Sequence, residues 1–200
     1  MKRRNDVSPL KGINIFLNVY FIFRNNNKRL QHIECWSLSN IIPEFSLMSF
    51  AFFSLLFIKR PDRILLGEVR DAAACELLNV MNTGHDGSLC SGHANSPKDM
   101  LNRLETLVLT GMDIPLLAVR SQVASAIDII VHLGRLRDKS RRVLEIVEVI
   151  GIQQGEIQIQ PLFSFQEEGQ DEIGRVQGKL CKTTHSLFHQ EKLHAAGITI

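Results

Sequence analysis

Glu68 closes a short apolar run, Arg63-Ile64-Leu65-Leu66-Gly67-Glu68, and two histidines, His85 and His93, follow within twenty-five residues. Nucleotide hydrolases use an acid at a strand's end to orient an attacking water or a magnesium shell. Neutral histidines nearby hydrogen-bond phosphate oxygens or register their loss. The same spacing also admits a structural reading: Glu68 and Asp71 cap the next helix, and the histidines are satisfied within their loops. Arg70, Arg103 and Arg120 are candidate phosphate contacts. On helices, a solvated or salt-bridged arginine is the commoner outcome. A zinc reading would draw on His85, Cys90, His93 and Cys75. Their H-x₄-C-x₂-H spacing matches no standard structural site and no C-x₂-C pair exists, so no directly bound metal is expected.

These residues need elements to position them. The run through Leu66 reads as a buried strand delivering Glu68 from its C-terminal end. Asp71 caps a helix to about Val80, with Leu77, Leu78 and Met81 on its apolar side. A polar loop, residues 82–88, leads to a second short strand ending at His93. Ser96-Pro97-Lys98-Asp99 is a helix start, with Ser as N-cap, Pro in the first turn and an acid third. Leu101, Leu104 and Val108 recur at helical spacing before Gly111. Residues 113–126 read as another helix, and residues 127–136 and 141–150 as a hairpin. After a turn at 151–155, Glu156-Ile157-Gln158-Ile159-Gln160 alternates as a strand. From Gln166 the chain turns polar, and a short helix over 186–195 closes it. This order predicts an α/β fold with an antiparallel meander.

The chain is not uniform. With 44% hydrophobic and 22% charged residues, it is neither disordered nor collagen-like nor polytopic. A net charge of +2 gives no electrostatic case for a nucleic-acid partner. Four scattered cysteines make no disulfide framework, and a reducing cytoplasm is expected. Residues 1–60 carry nine Lys/Arg against three Asp/Glu, whereas residues 61–200 carry fourteen against eighteen. Eight of eleven phenylalanines precede residue 58, and Gly12 is the sole glycine before Gly67, so two differently composed pieces meet near residues 54–60. The basic start and apolar residues 13–23 mimic a signal peptide, but Asn14 and Asn18 interrupt the run and no small-residue cleavage site follows. The apolar run at residues 45–58 would span ~21 Å as a helix, too short for a ~30 Å hydrocarbon core. Residues 1–57 therefore read as a separate apolar and basic segment of helices or loose hydrophobic stretches, with no period-2 strand.

From residue 58 onward the motifs resemble a known family. Arg60-Pro61-Asp62-Arg63-Ile64-Leu65-Leu66-Gly67-Glu68-Val69-Arg70-Asp71 resembles the Walker B strand of type II/IV secretion ATPases. Met81-Asn82-Thr83-Gly84-His85-Asp86-Gly87-Ser88 and Gly92-His93-Ala94-Asn95-Ser96-Pro97 resemble that family's histidine box. Arg103-Leu104-Glu105-Thr106, Gly111-Met112-Asp113-Ile114-Pro115 and Arg135-Leu136-Arg137-Asp138-Lys139-Ser140-Arg141-Arg142 are similar to the CpaF-like ATPases of Flp (tight-adherence) pilus assembly, as are Lys192-Leu193 and Ala195-Ala196-Gly197-Ile198. The resemblance implies part of a RecA-like P-loop NTPase domain over residues 58–165, from Walker B onward, with residues 166–200 as its C-terminal appendage. It implies Glu68 as the acid polarising the hydrolytic water and reaching magnesium through water. His93 would face the γ-phosphate, with His85, Ser88, Arg70, Arg103 and Arg120 in support. Mg-ATP is the implied cofactor. A homohexamer at the cytoplasmic face of the inner membrane, working on a polytopic pilus platform protein, is the implied assembly.

One requirement is unmet. Such ATPases cradle phosphates with G-x-x-x-x-G-K-[ST] ahead of Walker B. Here the only Gly-Lys pair is Gly178-Lys179, with Ile173 where the first glycine belongs and Leu180 where the hydroxyl belongs. Cys90 and Ser91 also stand where hydroxyl residues are usual in the histidine box; Cys90 is a mild change. Two expectations stand side by side: the catalytic C-terminal half of a pilus-assembly motor, or a non-catalytic fragment that binds no ATP alone and at most docks into a hexamer of full-length subunits.

Overall fold

The computed structural model describes residues 15–18, 64–85 and 87–195 of the chain. The apolar run at 45–58, the basic start at 1–4 and the motif residues 196–198 lie outside them. Among the described residues, seven strands form one sheet: β1 (Ile15–Asn18), β2 (Leu65–Leu66), β3 (Leu89–Ser91), β4 (Ile129–Arg135), β5 (Arg141–Gln153), β6 (Glu156–Gln170) and β7 (Val176–Lys182). Their order across the sheet is β2-β3-β1-β4-β5-β6-β7. The first four run parallel, and β4 through β7 form an antiparallel meander. Helix α1 (Ala73–Met81) joins β2 to β3. Helices α2 (Pro97–Gly111) and α3 (Leu116–Ala126) join β3 to β4, and α4 (Gln190–Ala195) follows the meander. This is the α/β architecture with an antiparallel extension that the sequence predicts.

Local chemistry fixes the helices. Ser96 Oγ accepts the Asp99 backbone N–H at 3.1 Å, and Pro97 and Asp99 occupy the first turn of α2. The spacing of Met100, Leu104 and Val108 buries one face of that helix. These side chains join Leu77 and Leu78 of α1, Val119 and Val123 of α3, and Ile130 and Val147 of the sheet in one core. Asp71 Oδ1 accepts the Ala73 N–H at 2.9 Å and so starts α1. The end of α2 approaches the start of α1 so closely that a Cβ on Gly111 would lie 2.7 Å from Ala72 Cβ.

Two expectations are corrected. Residues 15–18, read as helical or loose, form a strand inside the sheet, parallel to both neighbours. Alternation marks a strand with one wet face, whereas a parallel central strand needs only a short continuous apolar run. The meander is also longer than the sequence suggests: β6 continues through Pro161 to Gln170, and β7 was not anticipated. β7 and the end of β6 beyond Phe165 are largely exposed and polar, so they carry little hydrophobic pattern. Their anchors are the buried Leu162 and Val176 and a side-chain clamp. Asp138, in the β4–β5 turn, accepts the Val176 N–H at 2.9 Å through Oδ2 and the Ser140 N–H at 2.9 Å through Oδ1. These bonds, led by that from the Ser140 hydroxyl, hold its carboxyl down at about 2. Among the described residues, no helix is long and apolar enough to cross a membrane.

Candidate functional site

β2 and β3 are parallel neighbours, with Leu66 in register with Cys90. Glu68 stands two residues beyond the end of β2 and His93 two beyond the end of β3. Parallel strands bring such positions to the same sheet edge. The connection is tied down from both sides: Val69 donates its N–H to Ser91 O at 3.0 Å, and Ser91 Oγ donates to Gly67 O. Val69 is buried, so the chain is anchored immediately after the acid.

The side chains meet there. His93 Nε2 lies 3.2 Å from Glu68 Oε1, and Arg70 donates to Glu68 Oε2 at 2.5 Å. Glu68 is 19% exposed, His93 40% and Arg70 62%. The Arg70 hydrogen bond holds the Glu68 carboxyl below the usual carboxylate range, against the opposing effect of partial burial. The charges of His93, Arg70 and Arg103 add to the lowering. Glu68 is therefore an anion at neutral pH, set among three groups that carry or can take positive charge. Such a cluster can hold a water on the carboxylate and an anion on the arginines.

The other expected supports are elsewhere. Ser88 is fully buried at the opposite ends of β2 and β3: its Oγ accepts the Ile64 N–H at 3.1 Å and donates to His85 O at 2.6 Å. His85 is buried beside it, away from the Glu68 edge. Arg120 Nε donates to Glu105 Oε1 at 3.0 Å and its Nη1 to Gly155 O at 2.6 Å, tying α3 to α2 and to the β5–β6 turn. Ser88 and Arg120 thus tie together elements of the fold. Asp71 takes the turn into α1, and Glu68 faces Arg70 and His93. Ser91, through its hydroxyl bond to Gly67 O, ties the end of β3 to the chain just before Glu68, a contact signalled in the sequence only by a hydroxyl at a strand's end. Among the described residues, no group of three His, Cys, Asp or Glu side chains is placed to hold a metal ion.

The type II/IV secretion system protein family (T2SSE) matches residues 53–192. A protein of Mycobacterium tuberculosis named for conjugal transfer is 44% identical over 88 residues, 44% of this chain and 24% of that relative. Conjugal transfer protein TrbB of Rhizobium radiobacter is 37% identical over 109 residues, 54% of this chain and 32% of that relative. The chain therefore spans a quarter to a third of the length of these curated relatives. Among solved structures, the VirB11 ATPase of the Brucella suis type IV secretion system is similar over 69% of this chain and 41% of its own. Its TM-score is 0.49 at 22% identity. With 140 of its 200 residues inside the family's span, the chain belongs to the type II/IV secretion system protein family.

Proposed function

We propose that this chain carries the acid-and-histidine half of a secretion-motor ATPase, in which Glu68 and His93 serve Mg-ATP hydrolysis. The observation supporting this is the anionic Glu68 held 3.2 Å from His93 and 2.5 Å from Arg70 at one sheet edge. In this reading Glu68 accepts a proton of the attacking water, or of a water on magnesium. His93 fixes the carboxylate, and Arg70 with Arg103 offsets phosphate charge. Bound Mg-ATP would supply the electrophilic phosphorus. The residues present fit only one side of it, since the sequence offers no G-x-x-x-x-G-K-[ST] to cradle the phosphates. Within the family, the motifs at residues 103–106, 111–115 and 135–142 favour a CpaF-like motor of Flp pilus assembly. Such a motor is a homohexamer at the cytoplasmic face of the inner membrane, acting on a polytopic platform protein.

The missing cradle favours a second reading for the chain alone: a non-catalytic piece that docks among full-length subunits. One experiment separates the two. The chain alone is expected to release no phosphate from Mg-ATP. A chimera placing residues 58–200 after a family segment that carries G-x-x-x-x-G-K-[ST] is expected to hydrolyse ATP, and Glu68→Gln in it to abolish turnover. A folded, ATP-binding chimera that stays inactive with Glu68 intact would refute the catalytic reading.

A further inference from the structure

The turn joining β4 to β5 concentrates positive charge. Residues 135–142 include Arg135, Arg137, Lys139, Arg141 and Arg142 against one acid, Asp138, and all five cations are exposed. The stretch that follows, residues 143–172, holds seven Asp/Glu and no Lys/Arg, yet it does little to neutralise the turn. Glu145 pairs with His132, Glu148 with His189, Glu156 with Lys98 and Glu168 with Lys179, while Glu167 pairs with Arg137. Both carboxylate oxygens of Asp138 accept backbone N–H groups, from Ser140 and Val176. Among the described residues, no carboxylate forms an ion pair with Arg135, Lys139, Arg141 or Arg142. Arg135 and Arg141 are direct cross-strand partners, and like charges so placed repel. Lys139 has a φ of 67°, in the left-handed region that favours glycine. The turn nevertheless has one fixed shape. Lys139 N–H donates to Leu136 O and Leu136 N–H to Ser140 O, each at 2.9 Å, and Arg135 Nε donates to Lys139 O at 3.3 Å. Local stability gives no reason for two opposed arginines and a left-handed lysine at this place.

We propose that the β4–β5 turn is a docking surface for an acidic segment of a partner protein, with Arg135, Lys139 and Arg141 as its carboxylate contacts. Guanidinium forks match carboxylates in shape and charge, and clustered arginines are a recurring means of reading acidic motifs. The turn already takes one glutamate within the chain, Glu167 on Arg137. A partner's carboxylates would offset the repulsion between Arg135 and Arg141, and the fixed turn leaves little of the cationic side to be ordered on binding. Other polyanions fit less well. No Phe, Tyr or Trp lies between residues 129 and 142, so bases of a nucleic acid find no stacking platform. The apolar residue of the turn, Leu136, is partly buried, which leaves no apolar anchor for a bilayer. Exposed ion pairs are individually weak and screened by salt, so the contact needs several carboxylates at once. This surface does not depend on the nucleotide reading above.

The test uses the full chain and fluorescein-labelled oligoglutamate, read by fluorescence anisotropy at low salt, beside oligoglutamine, phosphatidylglycerol vesicles and oligo-dT. The unaltered chain is expected to bind oligoglutamate and not oligoglutamine. Arg135→Gln, Lys139→Gln and Arg141→Gln combined are expected to weaken that binding at least tenfold. Lys98→Gln, Lys179→Gln and Lys182→Gln combined remove the same net charge and are expected to change it less than twofold. No binding to the unaltered chain, or equal weakening in the two triple variants, overturns the proposal. Tighter binding of vesicles or oligo-dT through the same three residues overturns it too, and would give the surface to a membrane or a nucleic acid. The first triple variant is expected to melt no lower than the unaltered chain, because it removes a cross-strand repulsion. A lower melting temperature would make these side chains structural and overturn the proposal. Lys139→Gly suits the left-handed backbone and is expected to raise the melting temperature while weakening oligoglutamate binding; unchanged binding overturns the contact assigned to Lys139.

Discussion

Glu148, in the middle of β5, is 1% exposed, and its carboxylate receives four hydrogen bonds. Gln160 Nε2 donates to Oε2 at 2.9 Å and the Phe188 N–H to Oε2 at 2.7 Å; the His189 N–H reaches Oε1 at 2.8 Å, with His189 Nδ1 3.1 Å from the same oxygen. Three of these come from the segment leading into α4, so one side chain holds the end of the described chain against the sheet. Gln160 also donates to Ser186 O at 2.9 Å. Hydrogen bonds to a charged group contribute ~1.5–3 kcal/mol each, and truncating one partner of a buried charged cluster costs ~3–5 kcal/mol in total. In Glu148→Ala, part of that loss falls on the core as a cavity. Assigning ~3 kcal/mol to the docked tail, the opening equilibrium of residues 186–195 shifts by about a hundredfold, since ~1.4 kcal/mol is tenfold. Amide hydrogen exchange read by mass spectrometry measures this directly. Peptides covering 186–195 should exchange about a hundred times faster, while those from α2 change far less. Glu148→Gln keeps shape and one acceptor oxygen and should give an intermediate acceleration. Unchanged exchange in the tail of Glu148→Ala, or acceleration equal in tail and core, would refute the clamp.

Asp138 has its carboxyl held well below the ordinary value, so its stabilisation is present above about pH 4 and lost as pH falls toward about 2. The urea midpoint difference between the unaltered chain and Asp138→Ala should therefore shrink over that interval, and a difference constant with pH would contradict it. Gly111→Ala places a methyl 2.7 Å from Ala72 Cβ and should cost ~1–3 kcal/mol in urea unfolding, through a forced shift of α1 against α2. Arg120→Ala removes the bonds to Glu105 and Gly155 and should cost ~2 kcal/mol of stability. Arg103→Ala should stay within ~0.5 kcal/mol. Arg70→Ala should raise the Glu68 carboxyl more than Arg103→Ala does, read by NMR titration, because the Arg70 hydrogen bond is the first cause of its depression.

What the sequence made legible is what depends on nearest neighbours along the chain. The cap of α2 is written in Ser96-Pro97-Lys98-Asp99, and its buried face in Leu101, Leu104 and Val108. The placement of Glu68 and His93 follows from two apolar runs that each end in a turn, because parallel strands bring their carboxyl ends to one edge. Roles set by contacts far along the chain were not legible. Nothing local to Arg120 announces Glu105 fifteen residues back or Gly155 thirty-five ahead, so it read like any helical arginine that might face a phosphate. Ser88 reads as a polar loop hydroxyl until its bond with Ile64, twenty-four residues away, is seen. The strand at 15–18 escaped for a different reason. Its first three residues are apolar without alternation and its fourth is Asn18, and only the pairing with β3 and β4 distinguishes them from a helical or loose stretch.

Burial separates the carboxylate of Glu148 from that of Glu68, which the proposed function puts to work. Each is near a histidine, and each accepts at least one further short hydrogen bond. The partners of Glu148 include two backbone N–H groups around a carboxylate that is 1% exposed, where an uncompensated charge costs several kcal/mol, so that cluster stays closed while the fold stands. The partners of Glu68 are side chains in contact with solvent, and an exposed pair such as Arg70–Glu68 contributes ~0–1 kcal/mol. That bond can be traded for one to an incoming anion at almost no cost in stability, and the trade would leave the carboxylate with His93 and an open lone pair for water. If Glu68 were structural, Arg70→Ala would lower the unfolding free energy by as much as Arg120→Ala does. The geometry predicts the opposite order, with Arg120→Ala destabilising by ~2 kcal/mol and Arg70→Ala by less than ~1 kcal/mol. Urea unfolding of the two variants side by side decides it.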